Sequence, residues 1–349
     1  MESNNKAIPS IIYIAALVVV IAGVMYASDI VTQFLMSVFV AIIASKPVGY
    51  LVKKGVPSGV AVGLVLVLII ILTSTLGGLI GSSVARFTAN LDDYNDTVST
   101  ALHGLFSYLD SVGINVSKEA LLNTADPGTI MNFTAKLLNS LGSLMGSMAM
   151  ILLIVAFMLA ESSSYGVKLR VIMNKPDNSL LNISSAMTQI NQYLGIKTMT
   201  SLATGVIIGI SLWILGVDFP FMWGMIAFLM NYIPNIGSII AAIPAMFMAF
   251  ISIGYGGFVW TGIIFVVVNI TIGSIIEPKI MGKGLGLSTL VVLLSLIFWG
   301  WILGTVGMFL SIPLTLAAKI AFESQDSTKW VAVLLGTEED AVNILNNKE

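Results

Sequence analysis

Residues able to perform chemistry are scarce in this chain. None of the 349 residues is a cysteine, and His103 is the one histidine. Without cysteine there are no disulfides, no cysteine-ligated zinc sites and no thiol nucleophile, and one imidazole cannot form a histidine pair for a metal. No other nucleophile has an evident base beside it. We therefore predict no catalytic residues, no metal and no cofactor, and a protein that is not an enzyme.

Charge is scarce as well. Only 10% of the residues are charged, whereas a soluble domain has about 25%. Hydrophobic residues make up 57% and the mean hydropathy is +0.97, so most of the chain is expected to lie in lipid. The 16 Lys and Arg against 18 Asp and Glu give a net charge of −2, which provides no basic surface for nucleic acid.

What the chain does contain is a series of long apolar runs with few or no charges. They are too long for core strands, and each can cross the hydrocarbon as a helix of about 20 residues. The fold class is therefore predicted to be all-α, a polytopic integral membrane protein with about eight transmembrane helices, within a range of about six to ten. The first five spans are predicted at residues 8–27, 30–45, 56–81, 142–160 and 199–216.

Two later apolar stretches, 219–253 and 285–321, are interrupted by proline or glycine near their middles. Pro234 and Gly237 interrupt the first, and Gly300, Gly304 and Gly307 the second. Each half is short for a span. The two stretches are therefore predicted to contain broken helices, and two full spans or one re-entrant hairpin remain alternatives for each.

The basic residues set the expected orientation. Lys and Arg accumulate in short loops on the cytoplasmic side, and threading the chain through its basic clusters places both termini there. Between Arg86 and Lys136 acidic residues outnumber basic ones, so this segment is predicted outside. Its apolar residues repeat at three-four spacing, which predicts an extramembrane helical hairpin. Its apolar stripe is expected to pack against a neighbouring protomer, with packing within the hairpin as the alternative.

Between Leu180 and Leu194, apolar residues recur at helical spacing with polar residues on the opposite side. This pattern favours a helix lying on the membrane surface or covering the ends of other spans.

These features divide the chain into five predicted parts. The parts are N-terminal transmembrane helices (1–81), an extracytoplasmic helical hairpin (82–140), the fourth span with a cytoplasmic amphipathic helix (141–197), a C-terminal transmembrane transport region (198–321) and a cytoplasmic tail (322–349).

Polar groups and broken helices inside a bilayer are costly and often mark a pathway. Pro234 and Gly237 are predicted to stop a helix between two asparagines, Asn231 and Asn235, and to free backbone carbonyls and amides there. We predict these four residues as a substrate pathway. The alternative is an interfacial loop without substrate contact.

A second candidate segment follows a long apolar run. Glu277 ends that run, and Pro278, Gly282, Gly284 and Gly286 come after it, so the segment is predicted to gate and couple transport. Partial burial would suit Glu277 to carry a proton or cation. A surface ion pair with Lys279 or Lys283 is the alternative.

Residues 231–238 and 277–315 resemble the signature segments of the autoinducer-2 exporter family of bacterial membrane proteins, and the similarity extends over nearly the whole chain. Thr305 departs from the pattern, since proline is expected in the turn before Met308. The resemblance implies a multi-pass transporter of the bacterial inner (plasma) membrane that exports the quorum-sensing signal autoinducer-2 and forms homo-oligomers. It also implies that some relatives exchange sodium or lithium for protons.

Three functions remain to be compared. The preferred hypothesis is export of a small polar molecule, which would bind through hydrogen bonds with asparagine side chains and freed backbone carbonyls. The second is a monovalent cation/proton antiporter with Glu277 as carrier. It is disfavoured because no carboxylate lies clearly at mid-membrane. The third is a membrane scaffold whose outer hairpin binds a partner and which moves nothing.

Overall fold

The structure is a computed structural model. It describes residues 7–90, 127–172, 179–234, 236–281, 286–323 and 327–338, and a few isolated positions. All regular secondary structure within these residues is helical, which confirms the all-α prediction. Most of the predicted outer hairpin between residues 91 and 126 lies outside the described residues, as do Asn235, Gly282 and Gly284.

The described helices follow one another with short connections. They are α1 (Ala7–Tyr26), α2 (Ser28–Lys53), α3 (Ser58–Ala89), α4 (Pro127–Ile172), α5 (Ser179–Leu215), α6 (Pro220–Met230), α7 (Gly237–Ile253), α8 (Tyr255–Val268), the π-helix π1 (Asn269–Ile276), α9 (Glu277–Met281), α10 (Thr289–Phe309), α11 (Ser311–Glu323) and α12 (Lys329–Leu335).

Length and composition make five of the described helical segments able to cross a membrane. Three shorter apolar helices accompany them, at Gly146–Glu161, Pro220–Met230 and Gly237–Ile253. Large apolar side chains along these helices point outward, among them Phe157, Trp213 and Trp260. Soluble proteins rarely expose apolar surface so extensively. The chain is therefore a polytopic membrane protein, as predicted. The five long segments are Ser28–Lys53, Ser58–Ala89, Thr188–Leu215, Tyr255–Met281 and Thr289–Phe309.

The structure differs from the sequence prediction at α5. The amphipathic stretch from Leu180 to Leu194 is not a separate helix on the membrane surface, because α5 runs unbroken from Ser179 to Leu215. Gly195 is the only strong helix breaker before the span, and one glycine costs a helix only about 1 kcal/mol. The predicted boundary at residue 197 therefore falls inside a helix.

The chain divides into two compact units, each built from separated stretches. The first unit comprises Met1–Val65, Met150–Ile196 and Met281–Glu349. Inside it, the ring of Phe39 on α2 meets the ring of Phe309 on α10 edge to face, with centroids 5.3 Å apart. The Ser37 hydroxyl donates to the Ile151 carbonyl at 3.3 Å and so links α2 to α4. This unit also contains a helix break inside α10, at Gly304, whose φ of 63° and ψ of −147° suit only glycine.

The second unit comprises Leu66–Ala149 and Lys197–Ile280. Its helices α5 and α6 cross closely because both carry glycine where they meet. A Cβ atom added to Gly205 would lie 2.7 Å from the Gly224 carbonyl oxygen and 2.7 Å from Phe228 Cβ. Gly209 also lies against Gly224. Small residues allow such close approach between membrane helices.

Gly205→Ala is therefore expected to destabilise the protein by about 1–3 kcal/mol, the usual cost of overpacking. The measurement is the thermal unfolding midpoint of the purified protein in detergent. Gly78→Ala is the matched control, since a Cβ at this glycine of α3 meets nothing within 4 Å, and its midpoint should stay unchanged or rise. Equal midpoints for the two variants would contradict close packing at Gly205.

Candidate functional site

The predicted helix break at Pro234 and Gly237 is present. Helix α6 ends at Met230, residues 231–234 and Ile236 lie in a tight turn, and α7 begins at Gly237. The turn closes with a 2.9 Å hydrogen bond from the Ile233 amide to the Met230 carbonyl. A Cβ at Gly237 would overlap the same carbonyl. Gly237 is thus required because the two arms of the α6–α7 hairpin come together there.

Two side chains of this turn hydrogen-bond to α5. Asn231, only 8% exposed, donates from Nδ2 to the Ser201 hydroxyl at 2.9 Å. The neighbouring Tyr232 donates its phenol O–H to Thr198 Oγ1 at 2.9 Å. Buried amides and phenols of this kind need such partners, because an unsatisfied polar group costs about 1–3 kcal/mol. The turn is therefore held by side-chain hydrogen bonds as well as by its backbone.

The receiving surface is a polar face on an otherwise apolar helix. It consists of Lys197, Thr200, Ser201 and Thr204, which recur at helical spacing and are all buried. The Thr204 hydroxyl donates back to the Thr200 carbonyl at 2.9 Å. We call these four residues the α5 polar face.

Glu277 meets the same face. The Lys197 ammonium lies 2.8 Å from Glu277 Oε1 and 3.0 Å from Oε2, and the Thr200 hydroxyl lies 3.2 Å from Oε2. The Lys197 and Glu277 side chains are 8% and 13% exposed. This is a largely buried ion pair with a hydroxyl as third member, and its charged hydrogen bonds are of the strong kind.

The partner of Glu277 is not the one that the sequence suggested. An ion pair with Lys279 or Lys283 was the alternative there, whereas the structure pairs Glu277 with Lys197. Residues two apart on a helix do not face each other, so Lys279 lies on another side of the helix and is exposed. Lys283 lies outside the described residues.

Pro278 explains the local shape of the helix before Glu277. Proline has no N–H, and its ring clashes with the carbonyl four residues earlier in a regular helix. The chain widens ahead of it into π1, where the Glu277 amide donates to the Ile272 carbonyl, five residues back. π-Helical turns are rare and frequently occur at functional sites.

The structure thus brings one residue from each predicted site segment, Asn231 and Glu277, to one helix face. Gly286 lies in the first unit, where its carbonyl accepts from Lys319 Nζ at 2.6 Å. No group of three or more His, Asp or Glu side chains within the described ranges is placed to hold a metal ion. The α5 polar face and its partners instead offer amide, hydroxyl and paired charged groups, which bind polar solutes by hydrogen bonds.

Sequence reasoning missed the α5 polar face as a site. Its signal is nevertheless present, because Lys197 stands at the start of an apolar run and Thr200, Ser201 and Thr204 follow at three-four spacing. Polar residues on one side of a predicted span point to the protein interior. The sequence alone does not predict that this face contacts Glu277, which lies 80 positions after Lys197.

Comparison with known proteins defines the class. The chain belongs to the AI-2E transporter family, whose model matches residues 14–325. It is 38% identical over 325 residues to the AI-2 transport protein TqsA of Escherichia coli, covering 93% of this chain and 94% of TqsA. This confirms the family that the sequence resembles, and the chain is accordingly a multi-pass membrane protein of a transporter family.

Two further relatives are named as candidate transport proteins without a substrate. A Haemophilus influenzae protein is 40% identical over 346 residues, which is 97% of this chain and 99% of the relative. YhhT of Escherichia coli is 37% identical over 335 residues, or 96% of each chain. All three of these relatives are thus named for transport, and among them the name of TqsA alone mentions autoinducer-2.

Proposed function

We propose that this protein exports a small polar signalling molecule, autoinducer-2, across the bacterial inner membrane. The observation that carries the proposal is the α5 polar face, where Asn231 and Glu277 meet buried hydroxyls inside an apolar helix. A sugar-derived solute with hydroxyl and carbonyl groups needs hydrogen-bond donors and acceptors more than a fixed charge. The name of TqsA supports autoinducer-2 as that solute.

The proposed pathway residues are Asn231, Pro234, Asn235 and Gly237. Asn231 supplies the amide, and Pro234 and Gly237 keep the backbone non-helical, which is tolerated at membrane depth only inside protein or beside water. Asn235 is included because it follows Pro234 directly in the sequence. A solute hydroxyl that replaced the Asn231–Ser201 hydrogen bond would satisfy both side chains.

The proposed gate is the segment from Glu277 to Gly286. Its members are Glu277, Pro278, Gly282, Gly284 and Gly286, and in this proposal release of Glu277 from Lys197 accompanies movement of the segment. A sodium/proton antiporter would instead need a carboxylate available to a cation. Both Glu277 oxygens accept hydrogen bonds from Lys197, so this alternative is disfavoured. The transport names of the relatives likewise disfavour a scaffold.

Topology and assembly complete the proposal. Both termini lie in the cytoplasm, the hairpin around residues 82–140 lies outside, and residues 198–321 form the transport region. Homo-oligomers form through the apolar stripe of the hairpin. Deletion of residues 92–123 separates a transporter from a scaffold. A transporter that still assembles keeps its flux without the hairpin, whereas a scaffold loses its function.

The test is autoinducer-2 flux in proteoliposomes containing the purified protein. Asn231→Leu keeps the side-chain size but removes the amide, and we expect a roughly tenfold lower flux, the factor for losing about 1.4 kcal/mol of hydrogen bonding. Asn90→Leu is the matched control, because Asn90 is exposed just after α3 and its Nδ2 donates to the Arg86 carbonyl of α3 at 2.9 Å. Its flux should equal that of the wild type.

Two results would replace this proposal. Proton movement driven by a sodium gradient, read with an internal pH dye and lost in Glu277→Gln, would make the protein an antiporter. If correctly folded and oriented protein shows neither autoinducer-2 flux nor proton flux, the membrane-scaffold hypothesis is the one that remains. Equal autoinducer-2 flux in Asn231→Leu and wild type would remove Asn231 from the pathway.

A further inference from the structure

A second group of buried polar side chains lies in the first unit, on the α10–α11 hairpin. The Trp299 indole N–H on α10 donates to Thr315 Oγ1 on α11 at 3.0 Å. One turn before Thr315, Ser311 is 0% exposed, and its hydroxyl has no hydrogen-bond partner among the residues that the structure describes. A buried hydroxyl without a partner costs about 1–3 kcal/mol and therefore requires an explanation.

Ser311 belongs to a polar line along α11. Ser311, Thr315 and Lys319 are spaced four residues apart and so lie on one side of the helix; we call them the α11 polar track. At its far end Lys319 donates to the Gly286 carbonyl and lies 3.6 Å from Glu323. The ammonium is thus engaged, and the groups left for a ligand are hydroxyls.

The α10–α11 hairpin is built like the α6–α7 hairpin that carries Asn231. In each, a helix-breaking residue, Pro234 or Gly304, precedes a glycine by three positions. A Cβ at that glycine would overlap a backbone carbonyl of the preceding arm, that of Met230 for Gly237 and that of Trp299 for Gly307. An Ile-Pro pair follows in each second arm. The two hairpins therefore share one local design, and each places polar groups next to its break.

From these observations we propose that the α11 polar track is a second binding station, which takes a hydroxyl group of the transported solute through Ser311 and Thr315. Ser311 offers one donor and two lone pairs, and Thr315, whose oxygen already accepts from Trp299, offers its hydrogen. The ligand class is a neutral molecule bearing hydroxyl groups. A bare cation is a poor fit, because the carboxylate that the described residues place at the track, Glu323, pairs with Lys319. The inference rests on the proposed function.

The first test uses Ser311→Ala and autoinducer-2 flux in proteoliposomes. We expect flux to fall roughly tenfold while the thermal midpoint of the solute-free protein stays the same or rises, because the variant removes an unpaired buried hydroxyl. Ser295→Ala is the control: Ser295 is also buried but bonds the Val292 carbonyl of its own helix at 2.8 Å, so its flux should not change. Wild-type flux in Ser311→Ala would overturn the inference. So would a parallel fall in flux and midpoint, which is the behaviour of a packing residue.

The second test does not depend on which solute is carried. Because the chain has no cysteine, single cysteines at 311, 315 and 316 can be treated with a small, water-soluble thiol reagent. Ser311→Cys and Thr315→Cys should react, while Leu316→Cys, equally buried but off the track, should not. Reaction at 311 and 315 without any autoinducer-2 flux in the wild type would support the α11 polar track as a binding station and reject autoinducer-2 as the solute. No reaction at these positions in a protein that transports autoinducer-2 would reject the binding station and leave the proposed function intact.

Discussion

Glu277→Gln is expected to lower both the stability and the activity of the protein. The substitution leaves the Lys197 ammonium buried without its counter-charge, and removing one partner of a buried ion pair costs about 3–5 kcal/mol in soluble proteins. The thermal midpoint should therefore fall clearly below that of the wild type. Autoinducer-2 flux should fall as well, because in our proposal release of Glu277 from Lys197 accompanies movement of the gate. Unchanged flux in Glu277→Gln would reject that role.

A double variant separates the two effects. Replacing the pair with apolar residues, as in Lys197→Met with Glu277→Leu, removes both charges together, which is often neutral or stabilising. We expect the thermal midpoint to recover while the flux does not. A double variant as unstable as Glu277→Gln would show that the pair contributes more than charge neutralisation.

A more exposed ion pair, between Lys319 and Glu323, provides a matched control. Glu323 is 42% exposed and lies 3.6 Å from Lys319, one turn away on the same helix. Exposed pairs contribute about 0–1 kcal/mol, so Glu323→Gln should change the midpoint little. The difference in thermal midpoint between Glu277→Gln and Glu323→Gln then measures how much more the loss of a carboxylate destabilises the protein when its ion pair is buried.

Local rules predicted much of this architecture. The apolar runs produced the long helices, and Pro234 with Gly237 identified the turn where α6 ends. Gly304 likewise marked the kink in α10. These features follow from the chemistry of a few neighbouring residues, because proline removes a donor and glycine permits unusual backbone angles. Such signals are readable without knowledge of the tertiary structure.

The polar site depended on contacts that local rules do not contain. Lys279 is the sequence neighbour of Glu277, yet the partner is Lys197, because helix periodicity turns Lys279 away while tertiary packing brings α5 near. The continuity of α5 was missed for a related reason. Its amphipathic first part resembles a surface helix, but nothing in the sequence marks a stop between that part and the span that follows.

Gly237→Ala should abolish transport while leaving most of the protein folded. The added methyl group would overlap the Met230 carbonyl and lie 3.1 Å from Ile233 Cβ. A backbone carbonyl cannot move aside as a flexible side chain can, so the α6–α7 hairpin must open at its break, and overpacking of this kind costs about 1–3 kcal/mol or more. That movement displaces Asn231 from Ser201. We therefore expect autoinducer-2 flux near the background of protein-free vesicles.

Gly256→Ala is the control for this variant, since a Cβ on this α8 glycine meets nothing within 4 Å. Size-exclusion chromatography and helix content should match the wild type for both variants, and only Gly237→Ala should lose flux. Gly307→Ala extends the test to the second hairpin, where the overlap is with the Trp299 carbonyl. Full transport in Gly237→Ala would mean that the hairpin tolerates opening at its break. The close approach of its arms would then be unnecessary for transport, and the pathway would have to lie away from Asn231.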